Sequence, residues 1–136
     1  MVDQYLTAFY GRDMEDENAG WEFVYSINNE PHNDREFCLH NHNDLYEIYL
    51  FLEGELEFHI EGSIYRAHPN DIFIARPNEM HHNFFLSSSR YRRIVVFVPV
   101  KFFRQNRCEE LEGFLLRRSL GADCQIPAAI TERELV

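Results

Sequence analysis

The sequence predicts an all-β domain, a barrel or a sandwich, that is followed by helical structure only at its C-terminal end. Short runs with strand patterning follow one another from residue 21 to residue 98, and a turn signal separates each pair. Leu56, Phe58 and Ile60 alternate with polar residues, which is typical of a strand with one face in water. Apolar residues at helical spacing begin only after Pro99. Many short strands in succession favour a barrel or a sandwich.

The individual strands follow from the positions of the turn residues. The third run is apolar on both faces and is therefore predicted to lie in the centre of a sheet. Gly62 and Ser63 predict a hairpin turn, and residues 69–71 predict another turn. Residues 1–20 are polar and acidic around a few aromatic side chains, and we expect an N-terminal arm or irregular lead-in there. The predicted strands cover residues 21–27, 37–42, 45–52, 56–61, 64–67, 72–75, 81–86 and 91–98.

The region after Pro99 is predicted to be helical. The residues that follow the three-and-four spacing of an amphipathic helix are Cys108, Leu111, Phe114, Leu115 and Arg118. Gly121 lies just beyond this run, where a helix commonly ends. Residues 131–134 have the capping-box pattern with which a helix begins, close to Val136, so we expect the natural polypeptide to continue into a further domain. We divide the chain into an arm (1–20), a barrel (21–100) and a helical dimerisation segment with the start of a linker (101–136).

Composition and charge limit the classes of function that the chain can serve. Its 136 residues are enough for about one domain, and 45% of them are hydrophobic, so the chain is not disordered. The net charge of −10 lacks the positive field of an autonomous nucleic-acid binder. There is no apolar run of about 18 residues and no signal-peptide pattern. The three cysteines are widely spaced, which indicates reduced thiols in a cytoplasmic protein. Without a long apolar run we expect no association with membranes.

Three histidines and one glutamate stand out as residues that can carry chemistry. His40 and His42 lie two positions apart, so on a strand their side chains point to the same face. Glu47 follows a tight turn and can project inward from the next strand, and His81 begins a later one. Three imidazole nitrogens and one carboxylate suit one divalent ion of Zn, Ni, Fe or Mn. Without a metal the same residues form a polar patch that hydrogen-bonds hydroxyl groups or a carboxylate, and both interpretations stay open.

These residues resemble the two motifs of the cupin superfamily. The first motif is HxH, three or four residues, Glu, six residues and Gly, and the residues at that spacing are His40, His42, Glu47 and Gly54. The second motif keeps its histidine as His81, and asparagine replaces its glycines at Asn70 and Asn78, which the tolerance of asparagine for left-handed backbone permits. The resemblance spans residues 37–98. It implies an all-β, cupin-type double-stranded β-helix (jelly-roll) barrel with C-terminal α-helices.

A narrower resemblance is to the effector-binding domain of AraC-type transcription regulators. It rests on residues 40–48, on residues 69–71, on His81 after the turn at Pro77, and on the strand that leads through Pro99 into a helix. In that family the barrel binds a sugar, an aromatic acid or a similar small effector, and the helix after it dimerises. A separate C-terminal helix-turn-helix domain binds DNA. The resemblance implies an effector-sensing and dimerisation domain without its DNA-binding domain, which contacts DNA only through that further domain.

Particular residues of this chain receive roles from these arguments. The candidate metal ligands are His40, His42, Glu47 and His81, and the expected effector pocket adds Tyr49 and Phe51, which share the strand parity of Glu47. The helix with Leu111, Phe114 and Leu115 is expected to hold a homodimer together, and the competing expectation is that this stripe packs on the barrel wall. The alternative function is a stand-alone metal-dependent cupin enzyme, such as a dioxygenase or a sugar isomerase.

Overall fold

A computed structural model of the chain describes residues 6–10, 22–33 and 39–129. Within these ranges the chain forms nine strands and two helices, and both helices follow the eighth strand. The elements, in chain order, are β1 (Leu6–Tyr10), β2 (Glu22–Asn28), β3 (Leu45–Glu53), β4 (Leu56–Ile60), β5 (Ser63–Arg66), β6 (Ile72–Ala75), β7 (His81–Phe85), β8 (Tyr91–Pro99), α1 (Val100–Gln105), α2 (Glu109–Arg117) and β9 (Gln125–Ile126).

Two antiparallel sheets build the fold. The larger sheet has the strand order β1-β2-β8-β3-β6-β9, and the smaller one has the order β5-β4-β7. The core lies between the sheets, because each strand directs every second side chain inward. Tyr49, Phe58 and Phe73 are examples, and none is more than 1% exposed. Burying one such aromatic side chain contributes about 1.5–3 kcal/mol to stability.

Most strands lie where the turn residues predicted them. The ends of β2 to β8 differ from the predicted bounds by no more than one residue, and β3 lies between β8 and β6, which confirms its central position. Glu61 and Gly62 connect β4 to β5 with φ angles of 47° and 81°, the conformation of a type I′ hairpin turn. Asn70 and Asn78 have φ angles of 71° and 67°, so asparagine adopts the left-handed backbone expected at these positions.

The N-terminal part of the chain differs from the expectation. Residues 6–10, expected to belong to an irregular arm, form β1, whose backbone groups pair with β2 at the edge of the larger sheet. The predicted strand at residues 37–42 is wrong for its described part, residues 39–42, which holds only an isolated bridge between His40 and His81. Asparagine and aspartate residues dominate the following positions and favour a turn. Trp21, residues 34–38 and the capping-box pattern at residues 131–134 lie outside the described ranges.

The two helices cover the outer face of the larger sheet. Tyr46 and Val98 from the sheet and Phe103 from α1 form a second apolar cluster, separate from the core between the sheets. The rings of Tyr46 and Phe103 meet edge to face, with their centroids 5.0 Å apart. No helix within the described residues is long and apolar enough to cross a membrane.

The three apolar residues of α2 that were expected to form one dimer surface lie in two environments, one against the sheet and two in solvent. Leu115 is half-buried against the apolar cluster of the outer face, whereas Leu111 and Phe114 are 56% and 68% exposed. Gly121 was expected just beyond the end of this helix as its stop, but α2 ends at Arg117 with Arg118 as its C-cap, so Gly121 does not terminate it. Gly121 has a φ of 74°, and a Cβ at this position would lie 2.7 Å from the carbonyl oxygen of Ile60. Close packing therefore requires glycine there.

Candidate functional site

The backbone brings the four residues that can carry chemistry to one place between the two sheets. Glu47 lies on β3, and His81 is the first residue of β7. His40 and His81 exchange two backbone hydrogen bonds of 3.0 and 2.8 Å, which fix the segment before β3 against β7. The backbone N–H of Asn78 donates to the carbonyl of His42 at 2.7 Å. These bonds hold both histidines beside Glu47, although the two do not lie on a regular strand.

The side chains of the four residues form a compact group, here called the His/Glu cluster. One ligand atom from each of the four lies within 4.8 Å of all the others; the residues are His40, His42, Glu47 and His81. Nε2 of His81 lies 2.7 Å from Oε2 of Glu47, and Nε2 of His42 lies 3.3 Å from the same oxygen. The rings of His40 and His81 are in edge contact, with centroids 4.4 Å apart. The role of these residues as metal ligands stays a prediction.

Burial and charge set the protonation states in the His/Glu cluster. Burial alone raises the pKa of Glu47, but its contacts with His42 and His81 outweigh burial and hold that pKa well below its ordinary value. Burial alone lowers the pKa of His81, yet the hydrogen bond to Glu47 and the charge of that carboxylate raise it above its ordinary value. The Nδ1–H of His81 donates to the carbonyl of Glu79 at 2.9 Å. In this arrangement both nitrogens of His81 are donors, and Glu47 is an ionised acceptor.

The His/Glu cluster has the chemistry of a site for a divalent metal ion. An ion with ligands at about 2.0–2.1 Å holds donor atoms no more than about 4.2 Å apart. The observed limit of 4.8 Å is therefore close to that span. Nε2 of His42 is buried, and its contact with Oε2 of Glu47 at 3.3 Å does not have the geometry of a full hydrogen bond, so this nitrogen is directed at the cluster without a strong partner among the described residues. Because the carbonyl of Glu79 holds Nδ1 of His81, the other nitrogen faces the cluster, as in metal sites whose imidazoles are oriented by an outer hydrogen bond.

Solvent reaches the His/Glu cluster from the side of the segment before β3. His40 is exposed, and the side chain of His42 is 28% exposed. Phe97 of β8 packs edge-on against His42, with ring centroids 5.4 Å apart, and is itself half-buried. The imidazoles of His40 and His42 are therefore in contact with solvent.

The two aromatic residues expected as pocket walls lie deeper than the histidines. Tyr49 and Phe51 follow Glu47 on the inner face of β3, and both are 0% exposed. The hydroxyl groups of Tyr49 and Tyr91 are hydrogen-bonded to each other, and Nδ2 of Asn83 donates to the Tyr91 hydroxyl at 3.3 Å. Tyr49 thus belongs both to the apolar core and to a polar part of the interior.

Reasoning from the sequence missed three polar residues of the interior, which are Asn83, Tyr91 and Arg93. Cζ of Arg93 lies 5.5 Å from the centroid of the Tyr49 ring. Burial raises the pKa of Tyr49 and of Tyr91 above the ordinary value, and the positive charge of Arg93 acts in the opposite direction. Strand parity puts Arg93 on the same face as Tyr91. It does not tell which face is the interior, because β8 carries apolar residues on both.

Comparison with known proteins identifies the family of the chain. The AraC-like ligand binding domain family matches residues 28–96, which is half of the chain. The chain belongs to this family. The matched range starts at the end of β2, finishes within β8 and includes the complete His/Glu cluster. Ligand sensing within the cupin superfamily is the function class that this family supports. A search of curated proteins by sequence found no match.

Solved structures share the fold of this AraC-like domain. A cupin 2 conserved barrel domain protein from Salinispora arenicola is 15% identical, with a TM-score of 0.54 over 79% of this chain and 86% of that chain. The Cnp3 cupin domain from Schizosaccharomyces pombe is 10% identical, with a TM-score of 0.58 over 76% and 66% of the two chains. A cupin protein from Bacteroides fragilis is 23% identical, with a TM-score of 0.53 over 73% and 80%. These likenesses confirm the predicted cupin-type barrel.

Proposed function

We propose that this chain is the effector-sensing and dimerisation domain of an AraC-type transcription regulator. The observation that carries the proposal is that the AraC-like match covers the strands that hold a solvent-accessible His/Glu cluster. In this proposal a small effector, a sugar or a small acid, binds beside the cluster and against Tyr49 and Phe51. DNA is contacted by a separate domain, since a net charge of −10 gives this chain no positive field of its own.

Strand β3 offers one connection from the effector pocket to the helices. Glu47 faces the interior and contacts His81, while the neighbouring Tyr46 faces the opposite side of the sheet. Tyr46 packs on Phe103 of α1, and its hydroxyl donates to Glu112 of α2 at 3.4 Å. An effector that moves Glu47 therefore also moves the contacts of the helices. Coupling requires only that the effector binds one arrangement better than the other.

A second connection leads from the His/Glu cluster to the end of α2. The carbonyl of Glu79 holds Nδ1 of His81, and its carboxylate accepts a hydrogen bond from Nη1 of Arg118 at 2.7 Å. Arg118 directly follows the last residue of α2. Movement of His81 when an effector binds is thus passed through Glu79 to the segment after that helix.

We place the dimer interface on the exposed side of α2 and on the turn that follows it. The large hydrophobic side chains exposed there, between 54% and 68%, are Leu111, Phe114 and Leu120, whereas the exposed Leu116 lies on another side of the helix, about 160° around its axis from Phe114. Glu109 and Glu110 lie at the start of α2 and Arg117 at its end, so two antiparallel copies of the helix bring opposite charges together across a two-fold axis. A second copy of this chain is therefore the partner that fits this surface. Leu115 contributes less than the sequence predicted, because it is half-buried against the sheet.

A divalent ion, when bound, would be held by the four residues of the His/Glu cluster and would supply a Lewis acid that attracts ligand oxygen atoms. The residues of the chain provide the rest of the recognition. Without the ion, Glu47 orients His81 through the 2.7 Å hydrogen bond; with it, the carbonyl of Glu79 still holds Nδ1 of His81. Phe97 covers one side of His42 with an apolar ring.

A reporter that depends on dimerisation tests the proposal. The full chain is fused to a DNA-binding domain that represses transcription only as a dimer, and repression is measured in cells supplied with different small metabolites. We expect repression that changes with at least one metabolite and that is lost when Leu111 and Phe114 are both replaced by glutamate. A fusion that never represses, together with a monomeric chain at high micromolar concentration, would refute the proposal.

A stand-alone metal-dependent cupin enzyme is the second candidate, and the His/Glu cluster itself is the observation that favours it. The chain loaded with Fe²⁺ or Mn²⁺ is incubated with catechols under oxygen and with aldoses, and oxygen uptake and ketose formation are followed. Turnover that disappears in Glu47→Gln supports the enzyme. If the wild type and this variant show the same background rate, the enzyme is contradicted and the sensing function remains.

A further inference from the structure

The interior holds a second polar group that the His/Glu cluster does not include. This group, here called the arginine group, consists of Tyr49, Asn83, Tyr91 and Arg93. Tyr91 and Val95, which lie two residues on either side of Arg93 along β8, are each 1% exposed and define the inner face of that strand. The guanidinium of Arg93 lies over the ring of Tyr49, 5.5 Å from its centroid. Arg93 is itself half-buried, so a permanent positive charge lies at the inner face of β8, against an aromatic surface that orients it and near enough to the carboxylate of Glu47 to lower the pKa of that group.

Several hydrogen-bond donors converge in the arginine group. A guanidinium has five N–H donors in a planar fork that matches a carboxylate. The hydroxyls of Tyr49 and Tyr91 are hydrogen-bonded to each other, and the guanidinium of Arg93 also hydrogen-bonds the Tyr91 hydroxyl, so part of its five donors is used within the protein. Donors around a fixed positive charge are the chemistry that recognises an organic anion rather than a neutral molecule.

Asn83 adds a buried hydrogen-bond acceptor to this group of donors. Its side chain is 8% exposed, and Nδ2 donates to the Tyr91 hydroxyl at 3.3 Å. Oδ1 of Asn83 is buried and has no partner among the residues that the structure describes. A buried acceptor without a donor is costly, so a ligand that supplies a hydroxyl hydrogen at this atom is favoured.

We infer that the effector is a small organic acid that carries a hydroxyl group, with its carboxylate on Arg93 and its hydroxyl on Oδ1 of Asn83. This inference rests on the proposed sensing function and narrows it, because it excludes neutral sugars. Arg93 is then the residue that determines specificity for the acid, and the rings of Tyr49 and Tyr91 provide the hydroxyl groups beside it. Recognition of the acid in this way does not require a metal ion.

Calorimetric titration of the chelator-treated full chain tests the inference with two matched pairs of probes. Glucuronate is compared with glucose, and 4-hydroxybenzoate with 4-hydroxybenzamide. We expect the acid of at least one pair to bind at least about tenfold more tightly than its neutral partner, because a charge-assisted bidentate contact is lost in the latter. Benzoate, which lacks the hydroxyl group, is expected to bind more weakly than 4-hydroxybenzoate.

Substitutions on β8 test whether Arg93 is the side chain that binds the acid. Arg93→Gln is expected to lower the affinity for the acid at least about tenfold, and Arg93→Lys to lower it less, because the charge remains without the fork. Arg92→Gln is the matched control, since Nε of Arg92 pairs with Oε2 of Glu53 at 2.9 Å on the other face, and its affinity is expected to stay unchanged. Folding of each variant is checked by circular dichroism. If Arg93→Gln does not fold, the affinity of Arg93→Lys for the acid tests the role of Arg93.

Three outcomes overturn the inference. Binding of glucose without binding of either acid refutes it while the sensing function stands. Acid binding that Arg93→Gln and Arg93→Lys both leave unchanged refutes the role of Arg93. Failure of every acid to bind also counts against the inference, and the dimerisation reporter then decides separately whether the sensing function survives.

Discussion

The carboxylate of Glu79 and the guanidinium of Arg118 form an ion pair in the interior that joins the turn before β7 to the segment after α2. The side chains are 0% and 9% exposed. The same carboxylate accepts backbone hydrogen bonds from Arg76 and Gly121, each of 2.8 Å. Burial alone raises the pKa of Glu79, but these contacts outweigh it and lower that pKa. Through three partners, one acidic residue thus joins the turn before β7 to the segment after α2.

Removal of one partner of this ion pair is expected to destabilise the chain strongly. Arg118→Leu leaves the carboxylate of Glu79 buried without its cation, so the free energy of unfolding should fall by about 3–5 kcal/mol. Urea denaturation followed by circular dichroism measures the change. Arg104→Leu is the control, because Arg104 is exposed on α1, away from the proposed dimer surface, and we expect a change of no more than about 0.5 kcal/mol. Similar losses in the two variants would contradict the prediction.

The His/Glu cluster is expected to bind one divalent ion per chain. Elemental analysis of protein incubated with Zn²⁺ and then dialysed should give about one equivalent, and Zn²⁺ at 100 times its dissociation constant should stabilise the fold by about 2.7 kcal/mol. His42→Ala and Glu47→Ala should abolish both effects, because each removes a donor atom. The control is His59→Ala, since the hydrogen bond of His59 to Glu57 lies outside the cluster. Less than a tenth of an equivalent in the wild type would leave only the metal-free, hydrogen-bonding interpretation of the cluster.

The exposed side of α2 is expected to control the oligomeric state. Leu111→Glu combined with Phe114→Glu should convert a dimer into a folded monomer in analytical ultracentrifugation, because both side chains are more than half exposed and their loss costs the monomer little. Leu115→Glu should instead lower the stability of the monomer, since it introduces a charge beside the apolar cluster of Tyr46 and Phe103. A wild-type chain that sediments as a monomer at high micromolar concentration would show that this surface does not form a dimer interface.

The thiol of Cys124 is expected to resist alkylation in the native protein. Cys124 is 0% exposed, and burial raises its pKa to about 11. At pH 8 only about one such thiol in a thousand is ionised, and the thiolate is the reactive form. Iodoacetamide followed by peptide mass spectrometry should therefore modify the half-buried Cys108 first, and Cys124 only after unfolding. Equal rates for the two cysteines in the native protein would contradict the prediction.

Local patterns in the sequence were sufficient to predict most of the strands. Alternation along β4, and the turn residues on either side of β6, act over a few neighbouring positions, so the chain itself carries that information. The two histidines before β3 were assigned to one face by strand parity, and the structure does place them together. The bridge between His40 and His81 holds them there, rather than a continuous strand. The correct grouping thus came from an incorrect local structure.

The sequence by itself determined the all-β class, the positions of β2 to β8, the amphipathic helix and the four residues of the His/Glu cluster. All of these follow from the spacing of residues along the chain. Only the tertiary structure decided that Arg93 faces the interior, that Glu79 pairs with Arg118, and that α2 leaves Leu111 and Phe114 in solvent. The physical reason is that burial and pairing depend on which distant strand or helix covers a side chain. When both faces of β8 carry apolar residues, periodicity cannot distinguish the inner face from the outer one.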